Sequence, residues 1–176
     1  MYRRVQAQWW VGLLITVLAV SSVMASEINT LQRLSDTGTL RVGYGDTAPF
    51  SYEDKEGNVL GYSIELCQRV AAQLQQRLDL PEIDIEYVFI TPGNRIQLLN
   101  SGEIDIECNA STNNAERRRS ADFSLNHFFV SVRFVSLKEN HFFTLQDLAG
   151  RSVRVARGTV NVGQINQANR EQHLNL

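Results

Sequence analysis

The chain has little of several things that would direct a reading elsewhere. Its 176 residues hold only two cysteines, three prolines and three histidines. Cys67 and Cys108 fit an oxidising compartment and permit at most one internal disulfide; two buried free thiols are the alternative, because sequence alone does not fix the geometry. His127, His141 and His173 share no ligand spacing with one another or with the cysteines, so neither a metal site nor a cofactor is expected. No low-complexity tract or internal repeat interrupts the chain. There is no excess of positive charge either: 17 basic residues face 19 acidic ones. That balance argues against nucleic acid as a partner. Long apolar runs are scarce as well. Trp9 to Val20 is almost wholly apolar but shorter than the ~20 residues needed to span a bilayer. With Arg3 and Arg4 before it and Val23-Met24-Ala25 after it, residues 1–25 read as a secretory signal peptide. No cysteine follows directly, so no lipid anchor is expected. Without that segment the net charge is −4, and the remaining residues suffice for one ordinary core.

What is present reads as alternating strands and helices, an α/β pattern. Ile28, Leu31 and Leu34 predict a short amphipathic helix ended by Gly38. Leu40 to Tyr44 reads as a strand with Val42 inward. Phe50-Ser51-Tyr52 and Val59-Leu60 flank a turn at residues 54–58, where Gly57-Asn58 can take positive φ, and so predict a hairpin. A long helix follows, with Ser63 as N-cap and Ile64, Cys67, Val70, Ala71, Leu74 and Leu78 recurring at three- and four-residue steps. Pro81 closes it.

The stretch from Glu82 to Ser124 carries the chemistry. Ile83, Ile85, Tyr87 and Phe89 alternate with Asp84, Glu86 and Val88, the period of a strand with one buried face. The turn Thr91-Pro92-Gly93-Asn94 leads to a short helix, Arg95 to Leu99, stopped at Ser101-Gly102. A strand from Ile104 to Cys108 follows, then the polar run Asn109 to Asn114, and a helix is expected from Glu116. Two arginines thus sit just past two strand ends, where ligands bind in open α/β sheets. An arginine fork suits a carboxylate, because it donates two parallel hydrogen bonds and keeps its charge. Ser111 and Thr112 add hydroxyls. On these residues alone, a solvated basic patch at Arg117-Arg118-Arg119 remains the competing reading.

Thr91-Pro92-Gly93-Asn94-Arg95, Leu98-Leu99, Gly102, Asp105, Glu107-Cys108, Ser111 to Asn114, Glu116-Arg117 and Asp122-Phe123-Ser124 together resemble the bacterial extracellular solute-binding proteins of family 3, in particular the glutamate/aspartate periplasmic-binding type. Upstream, Leu40 to Tyr44, Pro49 to Tyr52 and Gly61 to Ile64 match the same family. The resemblance runs from about residue 28 to the C-terminus and implies an α/β, periplasmic-binding-protein type II-like fold. It also implies a periplasmic receptor for an ABC amino acid importer, a monomer whose partners are a small amino acid and a membrane permease. Among site residues, the resemblance makes Arg117 the grip on the α-carboxylate, with Thr112 beside it, and Arg95 the grip on a side-chain carboxylate. Tyr62 matches an aromatic stacked on the ligand, though a core aromatic at a helix entry is an equal alternative from the residues. Ser111, Ala110 and Thr159 complete the expected ligand set. Four positions depart from the family pattern: Pro92 replaces a common Ser, Ala110 a Ser or Thr, Gly45 an Arg of the acidic branch, and Val160 a second Thr.

Beyond the central stretch, Phe128 to Leu137 is β-rich. Residues 144–156 read as a short helix, a glycine stop and a strand, before Arg157-Gly158-Thr159 and a helix through Val162 and Ile165. A Gly-Thr pair at a helix start exposes N–H donors to an anion. The resemblance places a first lobe at 26–135 and a hinge with the beginning of a second lobe at 136–176, so that most of the second lobe is expected to be missing. Two other classes share this fold: enzymes resembling cyclohexadienyl dehydratase, for which Glu107 is the nearest acid–base candidate, and sensor modules of larger membrane proteins. Solute binding without catalysis is the expectation.

Overall fold

The computed structural model describes residues 29–176, so the expected signal peptide and Ile28 lie outside the described residues. Helix α1 (Thr30–Thr37) is capped by the Asn29 side chain, which accepts from the Leu31 N–H, and closes at Gly38. One side chain of α1, Leu34, is fully buried; Leu31 is 42% exposed although its spacing predicted an inward position. A helix of eight residues rests on the sheet along a stripe one residue wide.

Strand β1 (Thr39–Tyr44) is the centre of a three-stranded parallel sheet, with β4 (Asp84–Phe89) on one side and β5 (Ile106–Glu107) on the other. Parallel neighbours need crossovers. The first crossover holds the hairpin β2 (Tyr52–Glu53) and β3 (Val59–Leu60), then helix α2 (Tyr62–Arg77); the second is helix α3 (Arg95–Ser101). Leu34, Leu40, Val42, Tyr44, Ile64, Cys67, Ala71 and Cys108 form the core between α1, α2 and the sheet. Burying each large aliphatic side chain there contributes about 1.5–3 kcal/mol.

Several expectations need correction. Helix α2 starts at Tyr62 with Gly61 as N-cap, not at Ser63. Gly61 lies so close to the Phe50 carbonyl that a side chain would collide with it, and its φ of 129° is open only to glycine. The Ser63 hydroxyl instead donates to the Asn109 carbonyl at 3.1 Å. Val70 is 42% exposed, because α2 presents a narrower face to the sheet than the spacing suggested. The alternation of β4 fails at its end: Phe89 is 54% exposed and meets Tyr44 edge-on at 5.5 Å. The helix expected from Glu116 is a single tight turn, Arg117–Arg119, and that near Gln146 is another, Gln146–Leu148.

Phe128 to Leu137 and residues 151–156 form no strand. A strand exists only when a neighbour answers its N–H and C=O groups, and no main-chain N–H from Asp122 to Leu137 finds a partner among the described residues. Leu125, Phe129, Val130, Val135 and Leu137 are accordingly more than 70% exposed. The chain ends in α4 (Asn161–Gln172), with Leu174 and Leu148 buried and tied through the Gly150 N–H to the Leu174 carbonyl at 2.8 Å. Cys67 and Cys108 form a disulfide. It fastens α2 to the end of β5, which decides between the two alternatives for the thiols.

Candidate functional site

The C-terminal ends of β1, β4 and β5 lie side by side, and the turns that leave them carry the polar groups. After β1, Gly45 donates its N–H to the Ser51 hydroxyl at 3.0 Å. A Cβ at Gly45 would crowd the Asn109 side chain, with Cγ at 3.1 Å. Asn109 therefore fills the space where a larger residue would stand.

After β4, the Asn94 carboxamide folds back to accept from the Thr91 N–H at 2.7 Å, which shapes the turn into α3. Arg95 is the first residue of α3 and is only 5% exposed, so it is no solvated surface arginine. Its Nη1 donates to Glu107 Oε1 and its Nη2 to the Gly158 carbonyl, both at 3.4 Å. Its Nε, buried, has no partner among the described residues.

After β5, the polar run brings in the remaining groups. The Asn114 side chain accepts from the Arg117 N–H at 2.8 Å and so fixes the tight turn that aims Arg117. Arg117 Nη1 donates to the Thr112 carbonyl at 3.2 Å, and Nη2 donates to the Gly158 carbonyl at 3.1 Å. Both guanidiniums thus converge on one acceptor oxygen. Burial first, and then the positive charge of Arg95, draw the Arg117 guanidinium below its ordinary value; Glu107 and Glu116 act against that shift. Two cations held together with one carboxylate leave a site that favours a further anion.

The predicted residues are not all used as expected. Thr112 meets Arg117 through its carbonyl rather than its hydroxyl. The Ser111 hydroxyl lies 2.6 and 2.8 Å from the two Glu107 oxygens, so its proton is directed to that carboxylate. The Ala110 N–H is taken by the Asn109 side chain at 2.8 Å. Thr159 donates its hydroxyl to the Ala156 carbonyl at 2.7 Å. Gly158 contributes a carbonyl where an N–H donor was expected. Its φ is 74°, and a Cβ there would lie 2.5 Å from the Pro92 carbonyl group, so only glycine admits this approach. Tyr62, 39% exposed, donates its hydroxyl to the His127 carbonyl at 3.3 Å and sits among Phe50, His127 and Phe128. A cleft of about 280 Å³ runs along the polar run, lined by Phe50, Ser63, residues 109–113 and residues 123–130. A second hollow of about 380 Å³ lies between the hairpin and α2, and neither hollow is lined by Arg95 or Arg117.

Sequence reasoning missed the parts played by Glu107, Asn109 and the Gly158 carbonyl. Glu107 had a visible signal, an acid set between the apolar Ile106 and Cys108 just before the polar run. The Gly158 carbonyl had none, because its approach to Pro92 joins residues distant in sequence. Among the described residues no cluster of three or more His, Cys, Asp or Glu side chains could hold a metal ion.

Comparison with known proteins identifies the family and the fold. Residues 40–173 match the bacterial extracellular solute-binding proteins, family 3. The L-glutamate/L-aspartate-binding protein of Pseudomonas aeruginosa is 34% identical over 93% of this chain and 55% of its own length. The glutamate/aspartate import solute-binding protein of Escherichia coli is 33% identical over 84% of this chain and 49% of its own length. The chain thus spans about half the length of the curated relatives it matches. Among solved structures, an ancestral arginine-binding protein bound to arginine aligns with a TM-score of 0.59 at 25% identity, over 76% of this chain and 57% of that one. The periplasmic-binding-protein-like fold is shared with it, and the chain belongs to the bacterial extracellular solute-binding proteins of family 3.

Proposed function

We propose that this chain is the ligand-gripping part of the substrate-binding component of an ABC amino acid importer, and that it takes an acidic or other polar amino acid. The observation that carries the reading is the convergence of Arg95 and Arg117 on a single carbonyl oxygen just beyond the parallel strand ends. In the proposed complex the ligand's carboxylates, for which the Gly158 oxygen stands in chemically as an acceptor, displace it from both arginines. Arg117 holds the α-carboxylate and Arg95 the side-chain carboxylate, with Thr112, Ser111, Ala110, Tyr62 and Thr159 around them. Residues 26–135 form the first lobe, and 136–176 form the hinge and the start of a second lobe that closes on the ligand. The protein works in the periplasm as a monomer, exported by residues 1–25, and hands its ligand to a membrane permease.

The relatives named for glutamate and aspartate support the acidic branch. Gly45 weakens that assignment, since it stands where the acidic branch often has an Arg, and Ala110 lacks the hydroxyl that commonly accepts from the α-amine. A binding rather than catalytic role is favoured by Glu107, whose oxygens are engaged by Arg95 and Ser111. Thermal melting with millimolar L-glutamate, L-aspartate, L-glutamine and L-arginine tests the reading. Binding to the folded state alone must raise the melting temperature, by about 2.7 kcal/mol of added stability at a hundredfold excess over Kd. A cooperative transition that none of these amino acids moves would refute it; turnover of prephenate or arogenate would transfer the chain to the enzyme class.

A further inference from the structure

Among the described residues, Glu107 is the one carboxylate in ion-pair contact with either site guanidinium. Its side chain is 10% exposed and that of Arg95 is 6% exposed. The Ser111 hydroxyl lies across both Glu107 oxygens, and Arg95 takes one of them. Glu107 therefore presents no unengaged edge to a ligand and acts through its neighbours. We propose that Glu107 is the resident counter-ion of the Arg95–Arg117 pair, a positioning residue that sets how strongly the site prefers an anionic ligand over a neutral one. This rests on the amino-acid-binding reading above.

Charge counting gives the physical reason. Among the groups in direct contact, two guanidiniums and one carboxylate leave a single net positive charge; Glu116, which also acts on Arg117, is exposed and screened by solvent. An acidic amino acid at neutral pH carries a single net negative charge, since both its carboxyls are ionised and its amine is protonated. A neutral amino acid brings no net charge and leaves the cation uncompensated where water is scarce, which is unfavourable. Arg95 shows the same demand, because one of its buried N–H groups has no partner among the described residues. Without the Glu107 charge the group would carry two net positive charges, and its discrimination in favour of an anion would rise.

The test compares L-glutamate with L-glutamine, which differ in charge but hardly in size, by calorimetric titration of the wild-type chain and of Glu107→Gln. The expected result is a rise of about tenfold or more in the glutamate-to-glutamine affinity ratio. A residue that merely held the turn in shape would weaken both ligands in parallel, so an unchanged or smaller ratio overturns the proposal. In the double variant Arg95→Gln/Glu107→Gln the ratio should fall back to the wild-type value or below; a ratio that stays high also overturns it. If the wild-type chain binds neither amino acid, the binding reading fails, and sulfate decides the counter-ion proposal independently. Sulfate should then raise the melting temperature of Glu107→Gln more than that of the wild type or the double variant, and equal rises refute the proposal. If Glu107→Gln does not fold while the double variant does, an unpaired buried charge is the cause, as proposed. If neither folds, Glu107 serves packing and the proposal is wrong.

Discussion

At the scale of single residues the molecule uses arginine in two ways. Arg33 and Arg41 hold the Asp105 carboxylate at the start of β5; Arg41 reaches it with its backbone N–H at 2.8 Å and with Nη2 at 3.1 Å, and Arg33 bonds the same carboxylate. Burial would raise the Asp105 carboxyl, but the hydrogen bonds and charge of Arg41, with Arg33, outweigh it and hold the group below the usual carboxylate range. A depressed folded-state pKa gives stability that is fully present above the unfolded value of about 3.9 and is lost as pH falls through the folded value. Asp105→Asn should therefore destabilise the chain by about 2–3 kcal/mol at neutral pH. The difference between the urea melts of the two chains should shrink as pH falls below the unfolded value; a difference that does not shrink would exclude the ionic cause. Arg95 and Arg117 are the second use, two guanidiniums that meet on the Gly158 carbonyl and to which the proposed function assigns a ligand. Arg117→Ala should weaken every amino acid ligand by about ten- to a hundredfold, whereas Arg95→Ala should weaken acidic ligands selectively. Titration calorimetry checks both, and Arg117→Lys should not restore affinity, because a point charge cannot replace the fork.

At the scale of elements, the disulfide joins α2 to the end of β5 across a sequence separation of 41 residues. Closing a loop of that length restricts the unfolded chain by about 4 kcal/mol in the chain-entropy treatment. Cys67→Ala/Cys108→Ala should lower the unfolding free energy by about 2–4 kcal/mol, measured by chemical denaturation. The bridge also adjoins the polar run that opens at Asn109, and Ser63 of α2 bonds the Asn109 carbonyl. The double variant is thus expected to lose ligand affinity as well as stability; retained affinity would mean that the turn keeps its shape without the bridge.

At the scale of the whole molecule, stability is unevenly distributed. β1 is bonded on both sides and carries three of the fully or nearly fully buried core residues, Leu40, Val42 and Tyr44. The segment 125–137 is apolar yet exposed, and its main-chain N–H groups find no partner among the described residues. Amide exchange should follow that contrast: β1 amides should exchange only on global unfolding, and those of 125–137 within the dead time. Protection in that segment at micromolar concentration, lost on dilution, would reveal pairing between copies instead. The chain spans about half the length of its curated relatives, so ligand measurements on it report the contribution of this part.

Much of this arrangement is legible in the amino-acid order, because it depends on local periodicity. The helices at Thr30–Thr37, Tyr62–Arg77 and Arg95–Ser101, the strands around Val42 and Ile85 and the hairpin turn all follow from spacing and glycine placement. The ordered matches from Leu40 to Ser124 also point to the family by sequence alone. Tertiary structure decided the rest. Phe128 to Leu137 has strand composition but no strand, since pairing depends on a neighbour and not on the segment itself. The two cysteines pair because the parallel order β4-β1-β5 brings the end of β5 under α2. Glu107 lies between Ser111 and Arg95, and Gly158 lies against Pro92, because three-dimensional approach joins residues that no sequence period relates. Local pattern determined the elements, and long-range packing determined which charges meet.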